Sequence, residues 1–334
     1  MHGGGGYPRT MAILADDLAT DYRVLTEGCG LLDRSERGKL ALTGGDAKSF
    51  LAGQVTNDIE GLAGGAGCYA AFLTHKGKML GDLRVLAIDE PAPELLLDTE
   101  RPTLQALFDM IRRFKIGYDV ELHKRTVQRG LLSLVGPGAR AVAGAEDLPA
   151  EEHAHRTGSI ADRPVRLVAT DVGVDVLCDA SDTEALQAAL LHAGATPVSE
   201  AAAEILRVER GRPRYGAELD DATIPQEAGL NERAVSFTKG CYVGQETVAR
   251  LFYRGKPNRH LRGLRLSEPA PAGAELRLGE RVVGHLASSL VSPVHGPIAL
   301  ALVRREAAVG DTVAVEGGAS AEVVELPFGQ AAAA

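Results

Sequence analysis

The chain has 334 residues, 45% of them hydrophobic and 24% charged, a balance that gives a globular protein enough apolar material for two or three packed units. Aromatics are 4% and Trp is absent, so the core must be built from Leu, Val, Ile and Ala. The formal net charge of −9 excludes whole-molecule attraction to nucleic acid or to an anionic membrane, and neither is expected as a partner.

The start, Met1-His2-Gly3-Gly4-Gly5-Gly6, has neither the basic and apolar regions of a signal peptide nor the ending of a phosphate loop. It reads as the beginning of a flexible tail over residues 1–17. No stretch reaches the length of a membrane span. Leu40 and Leu42 alternate with small or polar residues before Gly44-Gly45-Asp46, which predicts a strand, a turn and a helix start. Phe50, Leu51 and Val55 supply that helix with an apolar face. Tyr69–Leu73 and Leu83–Ile88 read as strands joined across the polar turn Thr74-His75-Lys76-Gly77-Lys78. Leu104, Leu107, Phe108 and Ile111 fall on one face of an amphipathic helix. Strands are expected at Tyr118–Leu122, Leu131–Val135, Val165–Ala169 and Val174–Cys178. The stretch from Gly136 to Asp162, rich in Ala, Gly and Glu, predicts a helix and an exposed connection. Helices are expected from about Asp182 to His192, capped by Asp182 or Ser181 and stopped by Gly194, and from about Ser199 to Arg210.

The character changes after about Asn258. Short apolar runs at Leu261–Leu266, Glu275–Leu278, Arg281–Leu290, Ile298–Val303 and Thr312–Val315 alternate with Gly and Pro turns. They predict a small β-barrel over 259–326, following a body over 18–258 and preceding a second tail over 327–334.

Three constellations could carry chemistry. Between Lys239 and Arg265 stand seven Lys or Arg residues and one acid, Glu246. This is either a solvated face or a pocket for an anionic small molecule. Cys241 lies in this run between Gly240 and Gly244. A thiol beside Lys and Arg is activated as the thiolate, whereas the commoner fate of a lone Cys is burial. The flanking glycines favour an exposed functional loop. Second, Glu209 sits at the negative end of its helix, in Arg207-Val208-Glu209-Arg210-Gly211, with Tyr215, Glu218 and Leu219 following. It either pairs with Arg207 or Arg210 or accepts two hydrogen bonds from a ring amide or amidine. Third, Asp82 opens a strand and is a turn or cap residue unless it faces a pocket. Cys29, Cys68, Cys178 and Cys241 are far apart and form no Cys-x-x-Cys pair, so no zinc or iron–sulfur site is expected, and a reducing cytoplasm is the simplest setting.

The run Lys239-Gly240-Cys241-Tyr242-Val243-Gly244-Gln245-Glu246 resembles the Lys-Gly-Cys-(Tyr/Phe)-x-Gly-Gln-Glu motif of the YgfZ family of folate-binding proteins, relatives of the glycine cleavage T-protein. Phe50–Asp58, Gly77–Leu83, Arg207–Gly211 and Gly296–Arg305 are similar to the same group, so the resemblance runs from about Leu18 to Val324. It implies an α+β fold, with a T-protein-like folate-binding body of two intertwined subdomains and a C-terminal β-barrel around a central cavity. It implies tetrahydrofolate or a one-carbon derivative as cofactor. The implied partners are iron–sulfur proteins or their assembly machinery, in a supporting role without classical turnover that extends to cluster enzymes modifying tRNA. Glu209 matches the glutamate that grips the pterin, and Asp82 the aspartate beside the reactive folate nitrogens. Lys239, Arg250 and Arg254 would attract the folate's glutamate tail, with Tyr215 also at the ligand and Cys241 as a functional thiol. An Asp at position 82 is equally T-protein-like, so a tetrahydrofolate-dependent aminomethyltransferase is the alternative.

Overall fold

The computed structural model describes residues 7–329, with side chains from residue 17 onward. Of the tail expected over residues 1–17, residues 1–6 lie outside the described residues. Residues 7–17 are not tail but part of helix α1, Tyr7–Glu27. Leu18 and Leu25 recur at helical spacing and pack beside Ala202 and Ala203 of a helix nearly two hundred residues away, a tertiary partner that local pattern does not reveal.

The chain then alternates between two sheets. Strand β1 (Gly30–Asp33) begins one sheet, and the chain leaves it at once to build a second. That second sheet comprises β2 (Gly38–Thr43), β3 (Gly67–Leu73), β4 (Met79–Ile88), β5 (Glu94–Thr99) and β6 (Glu121–Lys124), antiparallel throughout in the order β3-β4-β5-β2-β6. Helices α2 (Ala47–Ala52) and α3 (Leu104–Phe114) cover one face of it. The strand expected over Tyr118–Leu122 forms later, because Tyr118 to Val120 complete the turn out of α3, where Tyr118 N–H donates to Lys115 O.

The first sheet resumes with β7 (Arg129–Val135), which pairs with β1. It continues through β8 (His155–Ile160), β9 (Arg163–Thr170), β10 (Gly173–Asp179) and the two-residue β11 (Thr196–Pro197), in the order β11-β1-β7-β10-β9-β8. Helices α4 (Ala139–Ala143) and α5 (Thr183–His192) pack on its outer face. The connection expected across 136–162 therefore ends in a strand, β8. Pairing with β9, not its own composition, makes it one.

The two sheets meet face to face. Ala41, Leu86 and Leu96 of one touch Leu131, Val168 and Leu177 of the other. The two-residue period of β4 decides what reaches this interface. Leu83, Val85 and Ala87 point to the helix-covered side. Asp82, Arg84 and Leu86 therefore point the other way, toward the second sheet.

Helix α6 (Glu200–Glu209), capped by Ser199, lies beside α1. The short α7 (Asn231–Ala234) and α8 (Gln245–Arg254) complete the body. The C-terminal unit holds β12 (Arg259–Leu266), β13 (Glu275–Leu278), β14 (Arg281–His285), β15 (Ser288–Ser292), β16 (Gly296–Arg304), β17 (Thr312–Val315) and β18 (Ser320–Val324). They form one antiparallel sheet in the order β14-β13-β17-β18-β12-β16-β15 around Leu264, Leu276, Val283, Val313 and Val323. The run Arg281–Leu290 is thus two strands, not one. The second tail begins later than residue 327. Phe328 is buried with Val208, Leu261 and Ile298 at the seam between body and barrel, and its N–H donates to Glu209 O. Residues 330–334 lie outside the described residues.

Candidate functional site

The facing sheets, α6 and the segments after it enclose a cleft in two connected parts. The inner part, about 940 Å³ of space partly open to solvent, is lined by Tyr69, Asp82, Arg84, Ser133, Asp175, Glu152, His153 and Arg233, among others. The outer part shares Arg207 and Arg233 with it and carries seven arginines against five carboxylates. All the lining comes from the body. From the barrel, Ser288 reaches the edge, where its Oγ accepts from Arg207 at 2.6 Å.

Of the ligand-site residues expected from the sequence, Asp82 lines the cleft. Its carboxylate accepts from the Tyr69 hydroxyl at 2.6 Å, and only 6% of the residue is exposed. Burial is the main influence and raises its pKa, with Tyr69 opposing. Behind Tyr69 the Arg233 guanidinium stands 4.7 Å over the phenol ring, and Arg233 Nε in turn donates to Glu152 at 3.1 Å. Glu152, Arg233, Tyr69 and Asp82 thus form one continuous polar wall. On the other side of Asp82, Arg84 is ion-paired with Asp98 at 2.9 Å and with Asp175 at 2.6 Å. Arg37 also pairs with Asp98, at 2.9 Å, so two cations face the two anions and keep this buried set close to neutral, as a low-dielectric site requires.

His153 completes the inner wall at 8% exposure. Burial and the nearby Arg84 push its pKa down to about 4, so the imidazole is neutral at physiological pH. Tyr69, Glu152, His153 and Arg233 carried no pattern in the sequence, since they come from a strand, a connection and a short helix with no common spacing. The arginines did leave a trace. Arg207, Arg210, Arg212 and Arg214 crowd one short segment, and tertiary structure turns all four to the cleft.

The other expected residues stand elsewhere. Glu209 lines neither part of the cleft and pairs with neither Arg207 nor Arg210. Its carboxylate accepts from Tyr22 Oη at 2.8 Å and from Ser292 Oγ at 2.5 Å. It joins α1, α6 and β15, because the last turn of α6 faces those elements. Arg207 is bound instead to Glu204 and Glu218, and Arg210 to Asp171. Tyr215 packs in the same apolar cluster as Tyr69; burial chiefly raises its hydroxyl pKa, with Asp221, Asp220 and Asp82 adding to it.

Lys239 and Cys241 line neither part of the cleft and stand in a loop whose Gly244 meets the turn of the β3–β4 hairpin. Gly244, at φ +86, sits against the hairpin backbone, where a Cβ would stand 2.6 Å from Thr74 O. Gly77, at φ +74, is closed off by Thr247 in return. The two glycines lock the signature loop to the hairpin. Lys239 Nζ donates to the carbonyls of Val55 (2.9 Å) and Ala52, and burial pulls its pKa down to about 8. This ammonium is committed to the backbone. Cys241 is exposed, whereas burial pushes Cys29 up to about 11 and Cys68 up to about 12. Arg250 and Arg254 are exposed on α8. Among the described residues no group of His, Cys, Asp and Glu could hold a metal ion, and no helix is long and apolar enough to cross a membrane.

Residues 6–239 match the GCVT N-terminal domain, and residues 259–329 match the glycine cleavage T-protein C-terminal barrel domain. The chain belongs to the glycine cleavage T-protein family. Within it, the chain is 31% identical to a putative chloroplastic transferase of Arabidopsis thaliana, over 94% of this chain and 74% of that protein. It is 28% identical to an aminomethyltransferase of Corynebacterium aurimucosum, over 96% of this chain and 92% of that one. The crystal structure of the glycine cleavage system aminomethyltransferase T from Bartonella henselae superposes with a TM-score of 0.82 at 24% identity, over 93% of this chain and 89% of the other. The T-protein fold, an α+β body with a C-terminal barrel, is therefore the fold of this chain.

Proposed function

We propose that this T-protein family member is a tetrahydrofolate-binding accessory protein of the YgfZ type, supporting the assembly or repair of iron–sulfur proteins, including cluster enzymes that modify tRNA. The observation that carries the folate reading is the polarity of the cleft. Its inner end is buried and close to neutral, with a hydrogen-bonded Asp82–Tyr69 pair. Its outer end is rich in arginine. A folate has the same polarity, a neutral heterocycle at one end and a dicarboxylate at the other. Arg210, Arg212 and Arg214, each partly exposed, would meet the tail carboxylates. They replace Lys239, Arg250 and Arg254 in that role, and Asp82 replaces Glu209 as the carboxylate facing the head. The residues present fit the cofactor, which would supply a one-carbon carrier.

The YgfZ assignment rests on Lys239–Glu246, where Gly244 fastens the loop to the β3–β4 hairpin and Cys241 stands exposed. There the thiol is available to a protein partner without crossing the cleft. Unpaired cysteines throughout suit the cytoplasm. Calorimetric titration with tetrahydrofolate tests the first part, and no heat at millimolar ligand would end it. A strain lacking the protein, complemented with wild type or Cys241→Ser and scored for iron–sulfur enzyme activities, tests the second. Full complementation by the serine variant removes the thiol from the mechanism.

A second reading, a tetrahydrofolate-dependent aminomethyltransferase, is favoured by Asp82 in the cleft and by the relative of that name. Asp82 would act electrostatically on charge developing at a folate nitrogen. Methylene-tetrahydrofolate formation from an aminomethyl-lipoyl carrier protein separates the two, since robust turnover selects the enzyme.

A further inference from the structure

We infer that His153 is a ligand-contacting residue that hydrogen-bonds the heterocyclic head of the molecule taken up by the cleft; this rests on the folate reading above. Three independent features meet at this residue. Its backbone is left-handed, at φ 73, a conformation that costs a residue with a β-carbon and is kept where the surroundings or a function require it. Neither ring nitrogen has a hydrogen-bond partner among the described residues, although the residue is only 8% exposed. It lines the inner cleft together with Tyr69, Asp82 and Arg84.

His155, two residues on, supplies the contrast. It is also buried and its pKa is also pushed down to about 4, yet both its nitrogens are engaged. Arg166 Nη1 meets Nδ1 at 2.9 Å, and Nε2 meets Ala66 O at 3.2 Å. That is a structural histidine. His153 has the same burial without the bonds. The nearest carboxylate oxygen, Glu152 Oε1, is 3.6 Å from Nε2 and is already held by Arg233. Gly67 of β3 leaves the room for the histidine, since a Cβ there would stand 2.9 Å from His153 Cβ.

The chemistry of the ring selects the ligand group. A neutral imidazole offers one N–H and one lone pair. It matches a ring N–H, an exocyclic amine or a ring carbonyl, and gives a carboxylate no compensating charge. The carboxylates of a folate are met by the outer arginines, so the head falls to His153. Arg84 adds to the same polarity, because its Nε also lacks a partner among the described residues.

The test is calorimetric titration of 5-formyltetrahydrofolate, a stable reduced folate, into wild type, His153→Asn and His153→Gly. Both replacements tolerate positive φ, so each relaxes the backbone. The expected result is a thermal midpoint at or above that of wild type together with affinity about tenfold weaker or worse. Free imidazole added to His153→Gly should restore part of that affinity, which a purely structural role would not do. Variants that bind as tightly as wild type overturn the inference and leave the folate reading standing. Loss of affinity that only follows loss of thermal stability, without rescue by imidazole, also overturns it. Wild type that does not bind overturns both.

Discussion

Cys241 and Asp82 show how differently one chain treats two reactive side chains. Three of the four thiols are raised by burial, and Cys241 alone is exposed. Brief treatment of the folded protein with iodoacetamide should therefore add one label, at Cys241, and all four only after unfolding; intact mass and peptide mapping read this directly. Asp82 is placed where its charge is costly. Its folded pKa lies above the ordinary 3.8, so the folded state holds the proton more tightly than the unfolded chain. The stability this gives is complete below 3.8 and is lost as pH rises through the folded value. Asp82→Asn should therefore be at least as stable as wild type at pH 7, since Asn still accepts from Tyr69, and its advantage over wild type should shrink as pH falls. Urea melts across that range check it. If folate binding weakens while stability does not, the buried charge serves the ligand.

At the scale of elements, the informative contact joins the signature loop to the β3–β4 hairpin. Gly244 and Gly77 each occupy positive φ, and each lies where a side chain would strike the other segment. Gly244→Ala combines backbone strain with a clash against Thr74 O, a fixed backbone atom. The expected cost is about 2 kcal/mol or more, read as a lower midpoint in thermal melts. Protease sensitivity should rise between Ser236 and Gly244, because the loop would leave the hairpin. The strands of this region were legible in the sequence. The apolar run Leu83–Ile88 reads as a strand, and the polar turn between the strands is marked by Gly77. Helix α1 was not legible, because the partner that gives its apolar face a purpose, α6, is remote in sequence. Strand β8 was missed for a similar reason: its polar, Gly-containing sequence becomes a strand only by pairing with β9.

Across the whole molecule, buried histidines set the response to acid. His153 and His155 both fall from 6.5 to about 4, chiefly by burial. A base with a depressed folded pKa binds fewer protons folded than unfolded between those two values. The stability it contributes is present above 6.5 and lost as pH falls toward 4. Each histidine accounts for roughly 2–3 kcal/mol of that loss. Asp82 works in the opposite direction. Chemical denaturation at pH 7 and pH 4.5 should show the fall, and His155→Gln should reduce it. The halves of the molecule are also tied through Glu209, which accepts from Tyr22 on α1 and Ser292 on β15 and whose carbonyl accepts from Phe328.

The sequence by itself determined the T-protein kinship and the α+β body followed by a barrel, and it singled out Asp82 as a candidate. These are local matters: periodicity, turn residues and a contiguous run of fixed residues. Only the tertiary structure decided that Asp82 shares a wall with Tyr69, Arg233, Glu152 and His153, and that Glu209 and Lys239 are bound up in the scaffold. A carboxylate at a helix end reads the same in sequence whichever way its helix is turned. The turn is set by what α6 packs against, and α1 and the barrel enter that packing from the two ends of the chain.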